Sequence, residues 1–142
     1  MKTSQSNKGG FTLVEMMLAV AVVSVLGSVA APKVGEALRK TQEGSTRGQL
    51  GKLRAAISIY YADREGRFPT DNLTSLVPAH MEAIPALNIP VHHGELAGVV
   101  TETTPTDTGR WSYNNVPGNT HWGTVRVGCT HPDTNGRAWA SL

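Results

Sequence analysis

Glu15 is the only ionisable side chain among the 21 residues from Phe11 to Ala31. A charge at the centre of a bilayer costs on the order of 3 kcal/mol on insertion scales, less near an interface, and such groups normally have a partner or a function. No lysine or arginine lies between Lys8 and Lys33, so a cation within reach arises only if the backbone is cut. Hydrolysis after Gly10 would create one. The new α-amino group on Phe11, with an unperturbed pKa of about 8, is positive at neutral pH and lies one helical turn from Glu15. It can also meet Glu15 of another copy.

The other residues able to do chemistry are scattered. Five histidines (His80, His92, His93, His121, His131) include no pair at the i, i+4 spacing of a zinc helix, and the sequence has no CxxC. No metal site is expected from them, and His92-His93, in a Pro/Gly loop, should be solvated. The single cysteine, Cys129, cannot form an internal disulfide and reads as a small, partly buried thiol. Asp133 and Asn135, with Asp107 farther back, offer few oxygens for calcium, which takes six to eight. The cofactor expectation is therefore none, with calcium the one candidate. No serine stands in a nucleophile-elbow glycine pattern, and the chain is read as a non-enzyme.

Glu15 has to be positioned by a helix. Phe11 to Ala31, at about 1.5 Å per residue, spans roughly 31 Å, enough to cross a hydrocarbon core. Gly27, Ser28, Ala30 and Ala31 are small and allow close helix approach. Pro32 removes one backbone bond and should kink or open the helix. An ordinary secretory signal would instead be cut near Ser28-Val29-Ala30. That cut would discard Glu15 and leave the Gly9-Gly10 border without a reason.

Lys8-Gly9-Gly10-Phe11-Thr12-Leu13-Val14-Glu15 resembles the class III signal of type IV prepilins and type II secretion pseudopilins. The resemblance implies cleavage after Gly10 by an inner-membrane prepilin peptidase and N-methylation of Phe11. It also implies a role for Glu15 in registering subunits in a filament, and a curved or locally melted helix at Pro32. Partners implied are further copies in a helical filament, minor pilins or pseudopilins, an assembly platform with its ATPase, and membrane lipid before assembly. Localisation would be the bacterial inner membrane, single-pass with the N-terminus in the cytoplasm, then a periplasmic or cell-surface filament. Many type IV pilins close a C-terminal loop with two cysteines; this sequence has one, so that loop has to be held by packing, hydrogen bonds or a metal.

The chain of 142 residues has room for one domain and a membrane element. Its net charge of +2 equals the contribution of Lys2 and Lys8, so the processed chain would be neutral, which argues against a nucleic-acid partner. Beyond Pro32, Val34, Leu38, Leu50, Leu53, Ile57 and Tyr60 recur at helical spacings. Arg39, Lys40, Glu43, Arg47, Lys52 and Arg54 lie between them as a solvated or intersubunit face. One helix is expected from about residue 11 to 62. Gly66 would end it in a left-handed conformation and Pro69 would forbid its renewal. The block from Tyr60 to Thr70 resembles the helix-exit loop of major pseudopilins.

A short helix over 71–78, capped by Asp71 or Thr70, should turn Leu73, Leu76 and Val77 inward. Pro78, Pro85 and Pro90 should leave the segment to residue 90 as loop. Short antiparallel strands are expected near 98–102, 110–114, 120–128 and 137–141, with Trp111, Trp122, Trp139 and Tyr113 in the core or on the sheet.

The fold class is α+β and pilin-like: a long N-terminal helix whose second half packs on a small C-terminal antiparallel sheet. Its parts are a leader (1–10), a transmembrane or filament-core helix (11–31), an amphipathic continuation (32–66) and a globular head (67–142). The expected function is a major structural subunit of a type IV pilus or type II secretion pseudopilus. The alternative is a membrane-anchored periplasmic binding or enzymatic domain.

Overall fold

The computed structural model describes residues 10–142; the leader expected at residues 1–9 lies outside them. A single helix, α1, runs Leu13–Asp63 with Pro32 inside it. The chain divides into two compact units, the first ending at Ala37 and the second running Leu38–Leu142. Each is described by itself.

The first unit is helix from Leu13 onward, and its large apolar side chains are exposed throughout. By length and composition α1 can cross a membrane.

The second unit owns the core. Leu50, Leu53, Ala56 and Ile57 fall on one stripe of α1 and are buried with Trp111, Tyr113, Val125 and Val127, as the helical spacing predicts. Val34 and Leu38, read as part of the same stripe, are exposed. The helix ends in a Schellman-type turn, in which the Gly66 N–H reaches the Tyr61 carbonyl at 2.9 Å. Two successive residues, Glu65 (φ 54°) and Gly66 (φ 83°), are left-handed there, not Gly66 alone.

Asp71 organises the next segment. Its carboxylate accepts from the Leu73 N–H (3.0 Å), the Ser75 N–H (2.9 Å) and the Thr74 hydroxyl (2.8 Å). The result is a single 3-10 turn, Thr74–Leu76, in place of the short helix expected; Leu73 and Leu76 are buried and Val77 is half-buried.

Strands β1 (Leu87–Ile89) and β2 (His93–Leu96) form an antiparallel hairpin where loop was expected. Pro85 and Pro90 flank β1 instead of interrupting it. Leu87 and Ile89 point into the core, and the Asn88 carbonyl between them accepts the Thr46 hydroxyl of α1 at 2.6 Å.

The second sheet has the order β3 (Val99–Thr101), β4 (Trp111–Tyr113), β5 (Val125–Val127). It is mixed, not wholly antiparallel: β4 and β5 are antiparallel, but β3 runs parallel to β4. The intervening loop makes this possible. Glu102 accepts from the Thr106 N–H (3.1 Å) and hydroxyl (2.7 Å), and Gly109 takes a left-handed φ of 67°, so the chain doubles back before entering β4.

The expected last strand is a 3-10 turn, Trp139–Ser141, with one isolated bridge between Pro132 and Ala138. Trp111, Trp139 and Tyr113 are fully covered; Trp122 is half-buried, edge-on to Phe68. Two polar tips find buried acceptors: Trp111 Nε1–H donates to the Pro85 carbonyl and the Tyr113 hydroxyl to the Pro69 carbonyl, each at 2.7 Å, whereas the buried Trp122 Nε1 has no such partner among the described residues.

Candidate functional site

Gly10 and Phe11 stand ahead of α1, and Phe11 is 76% exposed. Thr12 caps the helix. Its Oγ1 accepts the Glu15 N–H at 3.3 Å, and Glu15 Oε2 accepts the Thr12 N–H at 3.4 Å. This reciprocal pair is a capping box, in which two amides at the helix start are satisfied by each other's side chains. Its signal in the sequence is Thr-x-x-Glu ahead of an apolar run. Glu15 therefore has a local partner, and the partial positive charge of a helix N-terminus favours a carboxylate there as well.

Pro32 lies about five turns farther along α1, apart from the other three residues. The carbonyl of Ser28 lacks the amide donor that another residue at position 32 would supply. One and two turns earlier, the Ser28 and Ser24 hydroxyls donate to the Val25 and Val20 carbonyls, at 2.8 and 2.7 Å. Around this start the run is uncovered: Leu13, Val14, Met17, Leu18, Val20, Val25 and Leu26 are all exposed.

A second polar constellation lies in the C-terminal unit, on residues of α1 expected from the sequence to form a solvated or intersubunit face. Glu43 is buried, and its carboxylate accepts the Thr134 N–H (3.0 Å) and hydroxyl (2.6 Å). Arg47 donates to Asp133 at 2.5 Å, lies 3.7 Å from Glu43, and sits with its guanidinium over the Trp139 ring. Asp133 also accepts the Asn135 and Arg137 amides, each at 2.8 Å. Burial pushes the Asp133 carboxyl up, but these amides and the Arg47 guanidinium outweigh burial and hold it below its usual value. Hydrogen bonds to α1 thus hold the loop that has no disulfide. Periodicity could not separate these polar residues from exposed ones, because their partners are some 90 positions away in the chain.

Two of the five histidines meet a carboxylate and the cysteine in space. His93 opens β2, Asp107 lies in the β3–β4 loop, and Cys129 and His131 follow β5. One ligating atom from each lies within 4.8 Å of all the others. Asp107 Oδ1 is 3.0 Å from His93 Nε2, 3.3 Å from His131 Nδ1 and 3.1 Å from the Thr130 amide, and Cys129 Sγ is 3.5 Å from His131 Nδ1. The His92 ring stacks on His131 with centroids 4.2 Å apart. The hydrogen bonds from His93 and the Thr130 amide hold the Asp107 carboxyl at about 2, and burial pushes the Cys129 thiol up.

Residues 5–31 match the family of the prokaryotic N-terminal methylation motif. The chain is 29% identical over 94 residues to the fimbrial protein EcpC of Eikenella corrodens, which covers 66% of this chain and 61% of that protein. It is 32% identical over 63 residues to the ComG operon protein 3 homolog of Bacillus licheniformis (44% of this chain, 65% of that one). With the type IV major fimbrial protein FimA of Dichelobacter nodosus it shares 31% over 64 residues (44% and 41%). The chain thus spans less than two thirds of the length of each of these relatives. No solved structure matches it significantly.

Proposed function

We propose that this chain, a pilin-like protein by its methylation motif, its relatives and its α+β architecture, is a structural subunit of a membrane-assembled helical filament. The observation that carries the reading is the arrangement Gly10, Phe11, Thr12, Glu15 at the head of an apolar helix whose side chains are exposed. Cleavage after Gly10 releases the Phe11 amine, which is then methylated, and the helix is held in the inner membrane until assembly. In the filament, helix contacts replace lipid contacts, and Glu15 of one copy neutralises the Phe11 amine of another. Identical contacts that do not close into a ring propagate as a filament. Pro32 loosens the helix where it leaves that core.

Pilus and secretion pseudopilus remain two versions of this reading, and the relatives' names include both fimbrial and competence proteins.

The capping box makes the test sharper. Glutamine at position 15 keeps the capping geometry but not the charge, whereas alanine loses both. In cells carrying the assembly machinery, the wild type should give a mature chain beginning at methylated Phe11, by mass spectrometry, and filaments by electron microscopy. Glu15→Gln and Glu15→Ala should both be inserted and processed yet give no filaments. Normal filaments from Glu15→Gln would reduce Glu15 to its cap and overturn the charge pairing.

A further inference from the structure

We propose that His93, Asp107, Cys129 and His131 form a binding site for one divalent zinc-type ion, which cross-links the β1–β2 hairpin, the β3–β4 loop and the C-terminal segment. The set combines two imidazole nitrogens, one thiolate and one carboxylate oxygen. Those donors suit zinc and its neighbours, whereas calcium selects oxygen alone. Four protein ligands complete a tetrahedral sphere, so the site is of the closed, structural kind.

The geometry is close to what an ion needs. With metal–ligand bonds of about 2.0–2.3 Å, tetrahedral ligand atoms stand roughly 3.3–3.8 Å apart. Three of the separations here are 3.0, 3.3 and 3.5 Å, and no pair exceeds 4.8 Å. At present the imidazole nitrogens converge on one oxygen, Asp107 Oδ1; an ion placed among the four atoms would take their lone pairs instead. The Cys129 thiol would bind as thiolate and release its proton to solvent.

The backbone that carries the ligands is already fixed. Gly109 N–H donates to the Gly128 carbonyl (2.7 Å) and Gly128 N–H to the Arg110 carbonyl (2.8 Å), so the Asp107 loop and the Cys129 segment are locked side by side. Ala140 and Trp139 amides hold the Cys129 and His131 carbonyls at 2.8 and 3.1 Å. A Cβ at Gly109 would stand 2.8 Å from the His93 ring, so this glycine admits the third segment. The Thr130 amide orients Asp107 from outside the ligand set, and the His92 ring braces His131. Asp107 is exposed while Cys129 is buried, which gives an ion a way in from solvent. A chain with one cysteine thereby gains the cross-link that a disulfide cannot supply.

The test is titration of the metal-free full chain in detergent with cobalt(II), which reports both thiolate ligation and coordination geometry. One equivalent should produce a thiolate-to-cobalt charge-transfer band and the intense visible bands of a tetrahedral ion, both abolished by zinc. Cys129→Ser should remove the charge-transfer band. Asp107→Asn, at an exposed position, should stay folded by circular dichroism and weaken binding at least tenfold, as should His131→Gln. His121→Gln, outside the cluster, should bind as the wild type does. Weak octahedral bands without the thiolate band, or unchanged affinity in folded Asp107→Asn, would overturn the site and leave the four groups as a hydrogen-bonded cluster. Filament formation does not enter this readout, so it succeeds or fails separately from the assembly reading.

Discussion

The two units of this chain treat apolar side chains in opposite ways. In the N-terminal unit the large apolar residues of α1 are exposed, and the Glu15 carboxylate bonds to Thr12, three residues away. In the C-terminal unit Leu50, Leu53 and Ile57 of the same helix are fully covered, and Glu43 and Arg47 bond to residues near the far end of the sequence. One helix therefore serves two solvents. The C-terminal stretch is stabilised by what the chain itself folds onto it, while the N-terminal stretch displays a surface whose natural complement is lipid or another helix.

That contrast is broken most directly by truncating one leucine in each unit. Leu53→Ala, at a position with no exposure, should destabilise the C-terminal unit by about 2–5 kcal/mol through lost burial and the cavity left behind. Leu18→Ala, on the exposed run, should change it by less than about 0.5 kcal/mol. Denaturant titrations of the full chain in detergent, followed by tryptophan fluorescence, measure both. Equal losses would show that the two stretches do not differ as described.

A smaller effect is expected at the anchor of the C-terminal loop. Asp133→Asn removes the shorter of the charge contacts of Arg47, keeping the 3.7 Å contact with Glu43, and weakens two amide bonds; it should cost about 2–4 kcal/mol. The acid limb of stability follows from the same residue. The folded-state carboxyl of Asp133 is depressed, so its contribution is fully present above the unfolded value of about 3.9 and is lost as pH falls through the lower folded value. Thermal unfolding of the C-terminal unit should thus be insensitive to Asp133 protonation near neutrality and weaken below about pH 4, and Asp133→Asn should flatten that decline. An unchanged acid limb in the variant would remove Asp133 from the account.

The smallest change is expected at the helix start. Thr12→Ala deletes one half of the capping box and should cost about 0.5–2 kcal/mol locally. Hydrogen exchange should quicken at the amides of residues 12–15 without altering the C-terminal unit. Faster exchange spreading into residues 50–57 would mean that the two units are energetically coupled.

Local signals carried much of this protein. The helix and its inward stripe at Leu50, Leu53 and Ile57 follow from 3.6-residue periodicity; the amide-capping role of Asp71 and the helix stop near Gly66 follow from short-range hydrogen bonding and backbone freedom. The hairpin at β1 and β2 is not legible in the sequence, because three- and four-residue strands flanked by prolines leave too little alternation to read. Nor is the parallel pairing of β3 with β4, because direction depends on how the Glu102–Gly109 loop folds back, not on the strands' own residues.

The site divides the same way. Gly10, Phe11, Thr12 and Glu15 are neighbours in the chain, so the elements of the proposed function are legible in order: the proposed cut with its new amine, the Thr-x-x-Glu cap, and a carboxylate one turn on. The sequence alone determined that segment and the helix that carries it. Only the tertiary structure decided that Glu43 and Arg47 are buried partners of Thr134 and Asp133, and that His93, Asp107, Cys129 and His131 converge. The reason is physical. A capping box or an amphipathic stripe is set by the geometry of one helix, whereas a cluster drawn from three segments exists only once loop closures bring them together, and spacing along the chain carries no record of that.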